Sequence, residues 1–293
     1  MIPPGPKRVN SGNEPFRHFS GGRGGVRCYN RNMDVPREFL DHFGIARDGP
    51  PRRVLGETTA AFARLPYENL TKIIKHAGCG RPERARRAPG EVLADHKAWG
   101  TGGTCFALTS ALLLLVRALG WEAEPILADR PYGPDTHCAL LVWIGGVPHL
   151  VDPGYLIVDP IPLGFGGERD FATGCSRLAL SADPAGGRID LATVRLGART
   201  HRLTYKTAPV DRAQFHRAWN ASFGWEMMRY PLLARATESG QIYVRGSMLQ
   251  VTRGEAIERT RVPEAEWIAR IAAEFRMAPA VIARALAILR ERG

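Results

Sequence analysis

The segment that most constrains the fold is a glycine-rich turn that leads directly into an apolar helix. The turn reads Gly100-Thr101-Gly102-Gly103-Thr104, and Cys105 follows it. The apolar run from Phe106 to Leu119 ends at Gly120, which predicts a buried helix with a glycine stop. Its most apolar part is too short to span a bilayer. We therefore predict a core built around one helix that begins at a cysteine.

Two apolar strands joined by a tight turn follow this helix. The run from Cys138 to Ile144 predicts the first strand, and Val147 to Val151 predicts the returning one, with two glycines between them. His137 directly precedes the first strand, and Asp152 directly follows the second. Because antiparallel pairing brings these two positions to the same end, we expect their side chains to lie close together.

These positions suit a cysteine nucleophile. A cysteine at a helix N-terminus has its thiolate stabilised by free N–H groups and by the helix dipole. The same N–H groups can bind an oxyanion. His137 would accept the thiol proton of Cys105, and Asp152 would orient the imidazole. The sequence therefore predicts a catalytic triad of Cys105, His137 and Asp152.

Four segments resemble motifs of the arylamine N-acetyltransferase family. They are Pro66-Tyr67-Glu68-Asn69-Leu70, Gly102-Gly103-Thr104-Cys105-Phe106, His137-Cys138-Ala139-Leu140-Leu141-Val142 and Leu150-Val151-Asp152-Pro153-Gly154-Tyr155. The resemblance extends over most of the chain, from Pro36 to Arg290. It implies an α+β fold with a transglutaminase-like cysteine core, made of an N-terminal helical bundle, a central β-barrel-like lobe and a C-terminal α/β lid ending in a helix.

The same resemblance implies a ping-pong acyl transfer. Cys105 would take an acyl group from acetyl-CoA, another acyl-CoA or an acyl carrier protein, and an amine would then accept it. The residues implied to bind substrate are Gly103, Thr104, Phe106, Tyr67 and Tyr155. The acyl thioester would be a co-substrate, and neither a permanently bound cofactor nor a metal site is expected.

Several positions depart from the family pattern. Thr101 replaces an arginine and Ala107 replaces an acidic residue, while Pro153 and Leu156 also differ. These departures leave open an amide synthase, a thioesterase or a transglutaminase-like enzyme with the same triad. A non-catalytic scaffold that binds a partner is a further alternative, although an intact triad argues against it.

Charge and composition divide the chain. Residues 1–33 hold six Lys or Arg and one acidic residue, which is 6 − 1 = +5 of the net charge of +11. Their low apolar content predicts a disordered basic tail. We expect a helical lobe with the nucleophile at 34–120, a β-rich lobe with His137 and Asp152 at 121–235, and the lid at 236–293. No nucleic-acid-binding motif or membrane span is evident, so neither partner is expected.

The remaining expectations concern cysteines and local structure. The five cysteines contain no Cys-x-x-Cys pair, which argues against a disulfide framework, and no signal peptide is evident, so we expect a cytoplasmic protein. Cys138 should point away from His137 into the core. The segment 78–90 is expected to form a loop whose arginines are solvated or meet acyl-donor phosphates. Short strands are expected at Arg188 to Leu196, Arg199 to Lys206 and Gln241 to Val251.

Overall fold

The computed structural model describes residues 31–164, 166–173, 177–183 and 186–292. Nearly all of the predicted basic tail lies outside these ranges, and so do Cys28 and Cys175. The helices are α1 (Arg31–His42), α2 (Pro51–Phe62), α3 (Leu70–Cys79), α4 (Pro82–Ala85), α5 (Pro89–Trp99), α6 (Cys105–Ala118), α7 (Arg212–Ala221), α8 (Glu264–Phe275) and α9 (Pro279–Arg292).

The strands form two antiparallel sheets. They are β1 (Tyr67–Glu68), β2 (Ala123–Arg130), β3 (Gly133–Ile144), β4 (Val147–Asp152), β5 (Ile157–Pro162), β6 (Glu168–Ala172), β7 (Arg177–Ala182), β8 (Arg188–Arg195), β9 (Ala198–Lys206), β10 (Leu232–Thr237), β11 (Gly240–Arg245), β12 (Met248–Arg253) and β13 (Ala256–Arg261). The order in the larger sheet is β5-β4-β3-β2-β9-β8-β7-β6, and in the smaller one β1-β10-β11-β12-β13. The larger sheet is curled into a half-barrel, which confirms the expected α+β class.

Helix α6 packs against one face of β2 and β3. Cys138, Leu140 and Val142 belong to the same core as this helix, whereas Ala139 and Leu141 face a second core inside the half-barrel. This division follows from the alternation of side chains along a strand. The hairpin that joins β3 to β4 pairs Ile144 with Val147, as the two glycines predict. The nucleophile helix is therefore held directly against the strands that carry the predicted histidine and aspartate.

The shortest strand, β1, connects the helical part of the chain to the smaller sheet. Tyr67 pairs with Ala234 and Glu68 with Leu233 on β10. Tyr67 also forms a parallel bridge with Gly103 in the turn before α6. The smaller sheet is thus connected to the turn before Cys105 through Tyr67 and Glu68, which lie far from both β10 and this turn in sequence.

Two local expectations were wrong. The segment 78–90 is mostly helical: α3 extends to Cys79, and α4 and α5 begin at Pro82 and Pro89, so only 80–81 and 86–88 lie outside helices. The single strand expected between 241 and 251 is a hairpin, because Gly246 adopts a positive φ of 58° that turns the chain. Within the described ranges, no helix is both long and apolar enough to cross a membrane.

Candidate active site

Cys105 is the first residue of α6 and is 2% exposed. The turn before it is held against β1 by backbone bonds: Gly103 N–H donates to Pro66 O at 3.3 Å, and Glu68 N–H donates to Gly103 O at 3.0 Å. A Cβ atom at Gly102 would lie 1.8 Å from Pro66 O, so only glycine fits there. The glycines therefore allow two backbones to meet and fix the direction of the cysteine.

A buried arginine supports the same turn. Arg87 Nη1 donates to Gly102 O and, at 2.8 Å, to Thr71 Oγ1, while Nη2 donates to Asp95 Oδ2 at 2.7 Å. The expectation that the arginines of this segment are solvated or meet phosphates is wrong for Arg87, whose side chain is 2% exposed. Arg87 therefore anchors the turn that precedes the nucleophile.

His137 and Asp152 meet as their strand positions predict. His137 Nε2 lies 2.6 Å from Asp152 Oδ2, and both side chains are buried. Tyr205 Oη donates to the same oxygen at 2.7 Å, and the backbone N–H groups of Gly154 and Tyr155 donate to Oδ1. Burial alone would raise the pKa of Asp152, but its contacts with His137 and Tyr205 lower it overall. The carboxylate is therefore fully hydrogen-bonded and charged.

The thiol of Cys105 contacts both Cys138 and His137. Hydrogen bonding by the Cys138 thiol, together with His137, holds the pKa of Cys105 well below its usual range and outweighs the effect of burial. Burial lowers the pKa of His137, but Asp152 raises it overall. Cys138 does face the α6 core as expected, yet that face also holds Cys105, and the Cys138 sulfur lies 3.4 Å from Thr109 Oγ1. It is thus a neighbour of the nucleophile, which sequence reasoning missed.

The spacing at Gly154 shows how tightly these groups pack. A Cβ atom at this position would lie 2.7 Å from His137 Cε1 and 3.3 Å from Cys105 Cβ. The cysteine and the imidazole therefore both pack against the same backbone glycine.

Arg130 is a second residue that sequence reasoning missed. Its Nη2 lies 3.0 Å from His137 Nδ1, and its guanidinium lies over the Tyr155 ring at 5.4 Å. Because an arginine can only donate, this contact requires an unprotonated Nδ1, and it must open when the imidazole takes up a proton there. Arg130 also helps to lower the pKa of Cys105. A signal was present in the sequence, since Arg130 ends the strand that pairs with β3 beside His137.

The predicted substrate-binding residues occupy different environments. Tyr67 and Tyr155 retain partial exposure near Arg130, and Tyr155 contacts the His137 ring edge to face. Gly103 and Thr104 form the buried turn. Phe106 is fully buried and stacks on Trp219 at 6.1 Å, so its ring packs in the core. The structure places Phe106 away from the site because it lies one residue further around α6 than Cys105.

Lys72 is a buried cation that sequence reasoning did not single out. Its Nζ donates to Ser222 O at 2.8 Å and Ser222 Oγ at 2.6 Å, and it lies over the Phe223 ring at 4.4 Å. Burial lowers the pKa of Lys72 to about 7, while the nearby Cys105 opposes this shift.

Among the residues described, no group of three metal-ligating side chains is found.

The overall arrangement was compared with known proteins. The sequence matches no protein-family model and no curated protein. The structure resembles an arylamine N-acetyltransferase from Mycobacterium smegmatis, with 24% identity, a TM-score of 0.71 and coverage of 86% of this chain and 97% of that one. It also resembles the enzyme from Mycobacterium abscessus, with 16% identity, a TM-score of 0.73 and coverage of 90% and 99%.

A third solved structure bears on the site. An arylamine N-acetyltransferase from Bacillus cereus, described as having a Cys-His-Glu catalytic triad, shares 16% identity and a TM-score of 0.66, with 84% of this chain and 99% of that chain covered. These similarities extend over nearly the whole length of each neighbour. They confirm the resemblance inferred from the sequence motifs at the level of the fold, and this chain therefore has the arylamine N-acetyltransferase fold.

Proposed function

We propose that the protein transfers an acyl group from a thioester to an amine through an acyl-enzyme on Cys105. The observation that carries this proposal is that Cys105, at the start of α6, packs beside His137 at Gly154, while His137 Nε2 is held by Asp152 at 2.6 Å. The fold shared with arylamine N-acetyltransferases supports acetyl-CoA as donor and an arylamine as acceptor. His137, Asp152 and the helix N-terminus supply the base, its orientation and the oxyanion donors.

The geometry supports two half-reactions. In the first, the Cys105 thiolate attacks the thioester carbonyl, the bond from sulfur to the acyl carbon forms, and the departing thiolate takes a proton from His137. In the second, the amine nitrogen forms a bond to the acyl carbon, the bond from that carbon to the Cys105 sulfur breaks, and the amine proton passes to His137 Nδ1, so that the thiolate and the protonated imidazole are restored. Asp152 keeps the other imidazole nitrogen protonated throughout, since it accepts from Nε2.

Intact-mass measurement tests the proposal. Incubation with acetyl-CoA, longer acyl-CoAs and carrier-bound thioesters should add one acyl group to the protein, and an arylamine should then remove it. Cys105→Ser should abolish the adduct, whereas Cys138→Ala should retain it because that thiol lies beside the nucleophile without replacing it. If none of these thioesters leaves an adduct, the proposal is wrong.

A further inference from the structure

We propose that Arg130 makes this site select thioesters whose acyl group ends in a carboxylate, as in the CoA esters of short dicarboxylic acids. This inference rests on the acyl transfer proposed above. It assigns a specificity-determining role to a cation that the triad chemistry does not itself require.

The first observation is that Arg130 lacks a counterion. Its polar contacts are with His137 Nδ1 and the Tyr132 hydroxyl, and its buried Nε has no hydrogen-bond partner. In the described part of the chain, no carboxylate lies within ion-pair distance of its guanidinium. The adjacent Asp129 is already occupied by Arg188 at 3.0 Å and Lys206 at 2.8 Å.

The second observation concerns charge during the reaction. In the free enzyme, the thiolate of Cys105 compensates the charge of Arg130, since each favours the charged form of the other. Acylation removes that negative charge and leaves a desolvated guanidinium without a partner, which is unfavourable. An acyl group that carries its own carboxylate would place a new negative charge beside Arg130 when acylation neutralises the Cys105 thiolate.

Distance favours the acyl group over the amine as the source of this carboxylate. Arg130 Nη2 is 3.0 Å from His137 Nδ1, and the side chains of His137 and Cys105 pack against the same point at Gly154, so we expect the guanidinium about two hydrogen-bond lengths from the sulfur. One or two methylene groups place a terminal carboxylate roughly 4–6 Å from the thioester sulfur, given ordinary bond lengths. A carboxylate across the ring of an aromatic amine would lie well beyond this range.

The surroundings of Arg130 suit a carboxylate with a short apolar stem. The guanidinium lies 5.4 Å from the Tyr155 ring centre and 6.0 Å from that of Tyr132, so aromatic faces flank it. Arg130, Tyr67 and Tyr155 are all partly exposed, whereas Cys105 and His137 are buried. Solvent therefore reaches these three side chains but not the nucleophile, and we expect an incoming acyl group to meet them first.

The chemical step is the one proposed above with a dicarboxylic donor. The Cys105 thiolate forms a bond to the thioester carbonyl, the bond to the CoA sulfur breaks, and CoA leaves with a proton from His137. The distal carboxylate remains ionised and exchanges water for a bidentate contact with Arg130. No oxidant, reductant or further reactant is needed.

The test compares two donors of equal length, succinyl-CoA and butyryl-CoA, in single-turnover acylation of Cys105 followed by intact mass. We expect the wild-type protein to prefer succinyl-CoA by about 10- to 100-fold, which is the range for a charge-assisted hydrogen bond. Arg130→Gln should abolish this preference, and Arg130→Lys should retain part of it. Arg117→Gln, which removes an exposed cation paired with Glu124, is the matched control.

The ratio of the two rates isolates selectivity. Arg130→Gln also weakens the Cys105 thiolate, but this slows both donors equally and cancels in the ratio. Equal rates for both donors in the wild type, or an unchanged ratio in Arg130→Gln, overturn the inference while leaving acyl transfer intact. A preference that appears only for 4-aminobenzoate over aniline as acceptor also overturns it, by assigning the carboxylate to the amine. Absence of any adduct refutes both proposals.

Discussion

Replacing Lys72 with methionine should stabilise the protein at neutral pH and remove part of the pH dependence of its stability. Lys72 is 4% exposed and lacks a carboxylate in its contacts, which are with Ser222 and the rings of Phe223 and Trp225. A lysine in the unfolded chain titrates near 10.5, whereas burial lowers the pKa of Lys72 in the folded protein to about 7.

The sign follows from proton linkage. Between the two pKa values the unfolded chain binds more protons at this residue than the folded chain, so stability rises with pH. The penalty is complete below the folded value and disappears above the unfolded one. A shift of this size corresponds to about 4 kcal/mol at about pH 7 and about 1.5 kcal/mol at about pH 9.5. The residue therefore changes the free energy of unfolding by about 3 kcal/mol over this interval.

Urea unfolding of the wild type and Lys72→Met at these two pH values measures the effect. Loss of the contacts with Ser222 and altered packing affect the variant at both pH values, so they cancel when the two mutational differences are compared. The quantity compared is the unfolding free energy of Lys72→Met minus that of the wild type. We expect this difference to be about 3 kcal/mol larger at about pH 7 than at about pH 9.5. Lys97→Met, which changes an exposed lysine on α5, is the matched control.

The reasoning fails if the free-energy difference between wild type and Lys72→Met is the same at both pH values. In that case Lys72 would remain charged in the folded protein, stabilised by the aromatic rings and the two oxygens of Ser222.

Three further predictions concern the nucleophile. Gly154→Ala should slow acylation of Cys105 by about 100-fold, since the new methyl displaces His137. Gly78→Ala should leave the rate unchanged, because no atom lies within 4 Å of its added Cβ; equal rates for the two variants would contradict the packing described. Arg87→Met should cost about 3–5 kcal/mol in urea unfolding because it leaves Glu68 and Asp95 unpaired, whereas the exposed Arg84→Met should be near neutral. Cys138→Ala should move the pH midpoint of iodoacetamide labelling of Cys105 upward, while Cys79→Ala should not; an unmoved midpoint would show that the Cys138 contact does not stabilise the thiolate.

The parts of the fold that could be predicted are those with strong local signals. The apolar run after Cys105 and the two glycines between β3 and β4 specify a helix and a hairpin from neighbouring residues alone. The meeting of His137 with Asp152 followed because strand pairing converts a sequence position into a position in space. The role of each residue in catalysis stays a prediction until the acylation experiment is done.

The parts that could not be predicted depend on contacts between distant segments. Arg87 lies in an arginine-rich run that looks solvated, and only the fold brings it under Gly102. Phe106 shares a motif with Cys105, but the helical rotation between adjacent residues directs it to Trp219. The strand β1 has only two residues, so it shows no periodicity in the sequence. Its partner β10 is also separated from it by most of the chain.

The pairing of β1 has a consequence for how such proteins can diverge. Gly103 and β10 both bind the same two residues, and Ala278 N–H donates to Trp99 O at 2.9 Å just ahead of the turn. The C-terminal part of the chain therefore contacts both β1 and the residue just before the nucleophile turn. Replacing this part with that of a relative should change the orientation of the Cys105 thiol as well as the shape of the entrance. It therefore cannot be exchanged during evolution as an independent unit.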